Sequence, residues 1–537
     1  MASSEKIILK NRSNSPHKRI GERSRVDGDL IHEFTIYYKP FNAQILDDQS
    51  QFYDVSHKRK PVISRRKFNS HHKPHPEALN STKEFARSNN LKILRENEIE
   101  RWAVLEGRID DIESAFEIDI KAIKIEERQY FYYSKDIKLP KAFGEFVESV
   151  SGLNTLPVKA RNIFSDGKKL TSNLIEDIGV KPQDYTKFYN FPQSIDGKGQ
   201  TIGIISLGGG YKKSVLKKYF KDMGIPMPDI SWRGVDGAKN MPDDKPIYVK
   251  ECYMDIQVAG SLAPGAKIVV YFAGNNISNI SKALKRAIHD KRFRPTVISI
   301  SFGGNERDFP ENEKETLNQV LHEAAALNVT VLASSGDNGS RGNFQDLDSN
   351  ISVHLPAAHP LVLSIGGTQI HEQEGVIVDE HVWEVSAMGI TMAQSGGGFS
   401  KDQKMPKYQI GTIPNTIDHN GKRGIPDVAA NASSTPGILF YMGDKTQVSS
   451  GTSASTPLWA ALIARINQHL NDNGIRNIGF ANPILYHEDI KSTFNPVEKG
   501  TNGAYEAGKG WDPCTGLGTP NGEKLMQAIH SLFQKNG

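Results

Sequence analysis

From residue 200 onward the chain repeats one pattern. Short apolar, β-branched runs end in Gly, Ser or Asp: QTIGIISLGGG, AKIVVYFAG, TVISISFGG, VTVLASSGD and PLVLSIGGT. Between them lie segments of helical length and period, such as ISNISKALKRAIHD and ENEKETLNQVLHEAAALN. Continuous apolar strands separated by helices predict an α/β domain: a parallel sheet with helices on both faces. In such sheets function collects at the carboxyl ends of the strands, where this chain places its small and polar residues.

Before residue 160 the pattern differs. IHEFTIYYKP (31–40) alternates like a strand, HPEALNSTKEFARSNN (75–90) has helical spacing, and 92–133 predicts strand, turn, strand, helix, strand. The helix IDDIESAFEID opens on acidic residues, as its dipole favours. KLPKAFGEFVESVSGLNTLP is expected to close this half with another helix. The alternation predicts a smaller α+β, ferredoxin-like domain over 29–160, preceded by a flexible polar arm over 1–28. Residues 161–183 hold no firm period and predict an exposed linker, easily nicked by a protease. Residues 184–537 form the larger domain.

At 537 residues, two domains are expected on size alone. A net charge of +4 is too small to imply a nucleic-acid partner. Residues 57–75 nevertheless hold seven Lys or Arg, four His and no acid. That run reads as a solvated loop, with polyanion binding as the alternative. Two cysteines exclude both a disulfide framework and a four-thiolate metal site. No apolar stretch approaches the roughly 20 residues of a membrane span, and the start lacks a signal-peptide core.

The candidate chemistry begins at SSGTSASTPLWAALIARI (449–466), a Gly/Ser/Thr turn running into an apolar helix. Ser453 at such a helix start is either a cap or a nucleophile whose oxyanion meets unpaired N–H groups. The string is neither a G-x-S-x-G elbow nor a phosphate loop. No His lies in a motif suited to serve as its base. Instead, KECYMDIQVAGSLAPGAKI (250–268) places Glu251 and Asp255 on one helix face. Like charges at that spacing disfavour a helix, and the apolar surroundings argue against a solvated face. ASSGDNGS (333–340) sets Asp337 at a strand end, where only a protonated carboxyl can donate to an oxyanion.

E-x-x-x-D, S-G-D and S-G-T-S-A-S in this order resemble the sedolisins, the serine-carboxyl peptidases, on their kumamolisin-like branch. GQTIGIISLGGGY, APGAKIVVYFA, SGGGFS, GIPDVAANA, RINQHL and AGKGWDPCTGLGTPNG extend the resemblance over most of the chain. It implies a subtilisin-like fold and an N-terminal activation domain that inhibits the enzyme and is removed by self-cleavage in the linker. It implies Ser453 as nucleophile, Glu251 as base, Asp255 as the partner orienting it and Asp337 as oxyanion donor. The expected activity is an acid endopeptidase acting on peptides or denatured proteins, as a monomer in an extracellular or other acidic compartment. A sedolisin-fold binding protein with little activity is the alternative. Glu, with a reference pKa of about 4.3, stays a base where His would be protonated.

The glycines of SISFGG and SGGGFS, Gly303 and Gly397 among them, are candidates to let a substrate strand approach, close packing being their other role. The resemblance also implies one Ca2+ held by the carbonyls of Val497, Gly508 and Gly510 and by Asp512. Pro496 stands where a second carboxylate is expected, which weakens that site. Ser206, Phe302 and His354 replace an acid, a Trp and an Asp of kumamolisin-like members, so neither an extended proton network nor a basic P2 preference carries over.

Overall fold

The computed structural model describes residues 5–10, 23–42, 63–125, 128–157, 179–341, 351–387 and 390–535. Residues 158–178, and with them 161–178 of the expected linker, lie outside the described residues, as do 57–62 of the basic run.

The larger domain is built on an eight-stranded sheet. Its order is Ile230–Gly234, Lys267–Ala273, Thr201–Leu207, Val297–Ile300, Thr330–Ser334, Leu363–Gln373, then the antiparallel Val376–Val382; Val428–Asn431 also pairs with Leu363–Gln373, in parallel. All five apolar runs singled out in the sequence are parallel strands of this sheet. Their side chains are buried on both faces because helices cover both, and alternation would have signalled a solvated face. Two helices bring polar side chains into this apolar interior. Pro246–Leu262 is buried all round from Val249 onward, and Thr452–Asp472 packs beside it with its first turn at the strand ends.

The N-terminal domain has a four-stranded antiparallel sheet in the order Lys92–Asn97, Trp102–Arg108, Ile31–Tyr38, Val147–Ser151. With helices Ala78–Ser88 and Ile109–Phe116 on it, this is the ferredoxin-like arrangement expected.

Four expectations need correction. Parts of the supposed arm are strands: Lys6–Leu9 pairs with Ile137–Pro140, and Arg23–Arg25 with Lys121–Ile123. The closing segment is mostly strand, with one short helix, Lys141–Gly144, between Ile137–Pro140 and Val147–Ser151. The described part of the basic run is no solvated loop either. Helix Arg65–His71 buries Phe68 in the hydrophobic core of the larger domain. Part of the expected linker is a strand as well: Gly179–Val180 pairs in parallel with Gly437–Ile438.

No helix among the described residues is long and apolar enough to cross a membrane.

Candidate active site

Four acidic or hydroxyl side chains converge at the carboxyl ends of the central strands. Ser453 is the second residue of its helix, behind Gly451, whose φ of 94° is open to glycine at little cost. That placement sets the hydroxyl at the amino terminus of the helix, the positive end of its dipole. Glu251 and Asp255 reach the same point from the neighbouring helix. Ser453, Glu251, Asp255 and Asp337 are all 3% exposed or less. A solvated acidic face is thereby ruled out for Glu251 and Asp255.

Burial dominates their electrostatics. It pushes the Glu251 carboxyl well above the usual carboxylate range, and the charge of Asp255 adds to the rise. Hydrogen bonding from the Ser453 hydroxyl pulls the other way, as does that from Ser301. Burial raises Asp255 too, opposed by Ser301. Two carboxyls this close in a dry pocket lose their protons in two separated steps, so over a wide pH range the pair carries a single charge. In the resting arrangement the Ser453 hydroxyl donates to the Ser301 carbonyl at 3.4 Å, a long bond, while both Glu251 oxygens lack a partner of strict hydrogen-bond geometry. A small rotation of Ser453 toward Glu251 would satisfy both groups.

Two residues of the site were not named from the sequence, although both lie in motifs that were. The Ser301 hydroxyl donates to Asp255 Oδ1 at 2.8 Å and lies 3.4 Å from the Ser453 carbonyl, tying the carboxyl pair to the nucleophile's helix. Thr452 gives Asp337 two donors: its amide at 2.9 Å and its hydroxyl at 2.8 Å, both to Oδ1. Asp337 follows Gly336, whose φ of 111° makes the sharp exit from strand Thr330–Ser334. A side chain at position 336 would collide with the His354 ring. His354 therefore closes over the turn that aims Asp337.

Close packing of the protein's own backbone explains the two glycines. A side chain on half-buried Gly303 would meet the Leu355 carbonyl, and one on buried Gly397 would meet that of Pro513. Ser206 donates to the Gly208 carbonyl at 2.8 Å, and Phe302 is buried. Neither offers a carboxyl to extend the Glu251–Asp255 pair.

The residues expected around calcium do not fit a tightly held ion. Asp512 is the one carboxylate among positions 496, 497, 508, 510 and 512. Its Oδ1 accepts the amides of Cys514 at 2.8 Å and Thr515 at 2.9 Å. Its Oδ2 takes the Thr515 hydroxyl at 3.1 Å and the Gly508 amide at 3.4 Å. Donors thus occupy the oxygens a cation would need, and burial pushes the carboxyl up to about 6. Calcium favours several charged oxygens.

Family models match in two places: the pro-kumamolisin activation domain over residues 18–156 and the subtilase family over 243–494. Kumamolisin of Bacillus sp. (strain MN-32) is 37% identical over 483 residues, covering 87% of this chain and 86% of the relative. Sedolisin of Pseudomonas sp. (strain 101) is 27% identical over 452 residues, 79% of this chain and 74% of the relative. Among solved structures, Pseudomonas sedolisin complexed with two molecules of pseudo-iodotyrostatin superimposes with a TM-score of 0.58 at 27% identity. That match covers 66% of this chain and 98% of the other.

Proposed function

Because this chain belongs to the sedolisin family of serine-carboxyl peptidases, we propose that it is an acid-active endopeptidase, made as a zymogen, in which Ser453 attacks and Glu251 serves as base. The observation that carries this reading is the buried carboxyl pair beside the Ser453 hydroxyl. A carboxyl starts from a reference pKa about two units below that of imidazole, and hydrogen bonding from Ser453 and Ser301 counters the upward push of burial on Glu251.

The steps balance with these groups alone. Ser453 Oγ bonds to the scissile carbonyl carbon as its proton passes to Glu251. Negative charge gathers on the carbonyl oxygen, where protonated Asp337 donates a hydrogen bond. Glu251 then returns the proton to the leaving amine as the C–N bond breaks. Water then bonds to the acyl carbon as Glu251 takes its proton, and as the carbon–Oγ bond breaks Glu251 passes that proton back to Ser453 Oγ. Asp255, fixed by Ser301, is assigned as the partner that orients Glu251, and its charge makes Glu251 the stronger base. Thr452 occupies Oδ1 of Asp337 with two donors, which assigns the catalytic proton to the other oxygen. Loss of that proton disarms the oxyanion site, so activity falls as pH rises.

Substrate is expected to lie extended along the half-buried Gly303–Gly304 edge beside Ser301, using backbone hydrogen bonds. Unfolded proteins meet the need for an extended segment better than folded ones. The experiment is direct. Purified full-length chain moved from pH 7 to about pH 4 should lose its N-terminal domain and then cleave a denatured protein. A chain that stays whole and cuts nothing anywhere between pH 3 and 7 would end this reading.

The Asp512 loop is expected to hold its shape without calcium. Specific binding would raise the melting temperature by mass action. Melting in a few millimolar calcium and in excess chelator should therefore give the same midpoint, and Pro496→Asp should introduce a calcium-dependent rise. A rise of several degrees in the unaltered chain would show that the carbonyls of Val497, Gly508 and Gly510 suffice.

A further inference from the structure

The two domains meet at a buried ionic cluster centred on Glu323, in helix Glu311–Ala326 of the larger domain. The Glu323 side chain is 0% exposed. Arg101 Nη2 donates to its Oε1 at 2.8 Å, His72 Nε2 lies 3.0 Å from that oxygen, and Lys285 Nζ lies at 3.3 Å. His289 Nε2 is 2.5 Å from Oε2. Arg101 Nη1 reaches Glu148 at 3.2 Å. His72, Arg101 and Glu148 come from the N-terminal domain; Glu323, Lys285 and His289 come from the catalytic one. His72 ends the helix of the basic run, and Phe68 of that helix stacks on it, with ring centroids 4.4 Å apart.

Arg101 and Lys285 carry two positive charges against the two negative charges of Glu323 and Glu148, so these four side chains already balance without a proton on His72. Any proton added to His72 leaves an excess positive charge in an interface without water access, among Arg101 and Lys285. We propose that this cluster is the acid latch of the zymogen: protonation of His72 against Arg101 and Lys285 releases the activation domain from the catalytic domain. The proposal rests on the zymogen reading above and assigns its trigger.

Supporting groups face the cluster from every side. From the N-terminal sheet, the Tyr37 ring lies under Lys285 at 4.9 Å, and Glu100 pairs with Arg286 at 3.3 Å. On the Glu323 helix, Glu315 faces Glu148, Glu313 binds Ser278 and Ser151, and His322 turns to the Asn318 carbonyl. Glu323 stays well below its ordinary range, because Lys285 and His72 outweigh the upward push of burial. Burial, followed by the Arg101 charge, lowers His72 from 6.5 to about 4 against the pull of Glu323. Burial also raises Glu148, so its own titration favours the docked state as pH falls and opposes the His72 effect.

These directions set the sign of the pH dependence. Above pH 6.5 His72 is neutral docked or undocked, and docking is indifferent to pH. Between 6.5 and about 4 the undocked ring takes a proton that the docked ring refuses. The His72 titration by itself therefore weakens docking by up to tenfold per pH unit, by about 300-fold in all.

The test uses the full chain carrying Ser453→Ala, so that nothing is cleaved, and follows hydrogen exchange in 147–151 and 311–326 from pH 7 to 4. Protection at this interface should fall with acid. His72→Gln, which keeps a donor toward Glu323 but takes no proton, should move the loss to lower pH and remove about 300-fold of the change in docking. His72→Asn is the second variant. Superimposable profiles for parent and variants would overturn the latch. So would loss of protection at pH 7 in both variants, since His72 would then be needed to dock rather than to release. A chain without peptidase activity would still show the His72-dependent profile, so failure of the peptidase reading is recorded separately. Self-processing of the Ser453 chain with one pH dependence in parent and His72→Gln would keep the peptidase and remove the latch.

Discussion

Ser453→Ala is expected to lower kcat/KM on a denatured-protein substrate by on the order of a million-fold and to leave the zymogen whole at pH 4. The size follows from the way the site acts as one unit. Without the hydroxyl there is no acyl intermediate, and the Glu251–Asp255 pair has no proton to take. What remains is the oxyanion group and substrate binding. Stability should scarcely change. The hydroxyl's one strictly formed bond is the long one to the Ser301 carbonyl, so its loss is worth within about 1 kcal/mol. Melting temperature and activity therefore separate cleanly. Glu251→Gln should also be severe. Adding it to Ser453→Ala should cost nothing further, because both residues serve the same proton transfer. A Ser453→Ala chain that retains activity within tenfold, or a double variant much worse than the single, would show that Ser453 is a helix cap and that another group attacks.

How much of this was legible depended on whether the responsible force is local. The parallel strands were readable because two-sided burial leaves an uninterrupted apolar run with Gly, Ser or Asp at its end. Ile230–Gly234 was not, since an edge strand with half-exposed residues carries no such run. Val428–Asn431 was quoted for its family likeness, yet its four residues are too short for a period. Glu251, Asp255, Asp337 and Ser453 were found because helix spacing and strand ends fix where such side chains point. Ser301 and Thr452 escaped notice because a hydroxyl in a Gly-rich turn has many uses, and only the partner 2.8 Å away selects one. The Glu323 cluster was invisible for a stronger reason. Within ENEKETLNQVLHEAAALN it is one acid among several on a helix, and its partners lie near residues 72, 101 and 285. Likewise, the basic run looked solvated because Phe68, which anchors it, finds its pocket in the other domain. Tertiary contact decided these features, and no local pattern carries it.

Asp337→Asn should separate the two roles that pH plays in this site. In the native chain, the oxyanion donor exists only while Asp337 holds a proton, so kcat/KM must fall on the alkaline side as that proton leaves. An amide has the same shape and donates at every pH. The Thr452 amide and hydroxyl, both directed at Oδ1, would hold the Asn carbonyl oxygen in that place and turn the NH2 group outward, toward the oxyanion. The alkaline limb is therefore expected to move up by at least about one pH unit, while the acid limb, set by the Glu251–Asp255 pair, stays where it was. Asp337→Ala removes the donor altogether. It should cost about 100- to 1,000-fold in kcat at acid pH, where the native donor is present, and abolish the alkaline limb, since no proton is left to lose. The pair of variants thus distinguishes a donor from a mere structural acid. If Asp337 only tethers Thr452, Asn should restore activity without moving the profile, and the alkaline limb must then belong to another group. If the profile moves, the pH gate of this peptidase resides in one proton on one carboxyl, held in place by the residue next to the nucleophile.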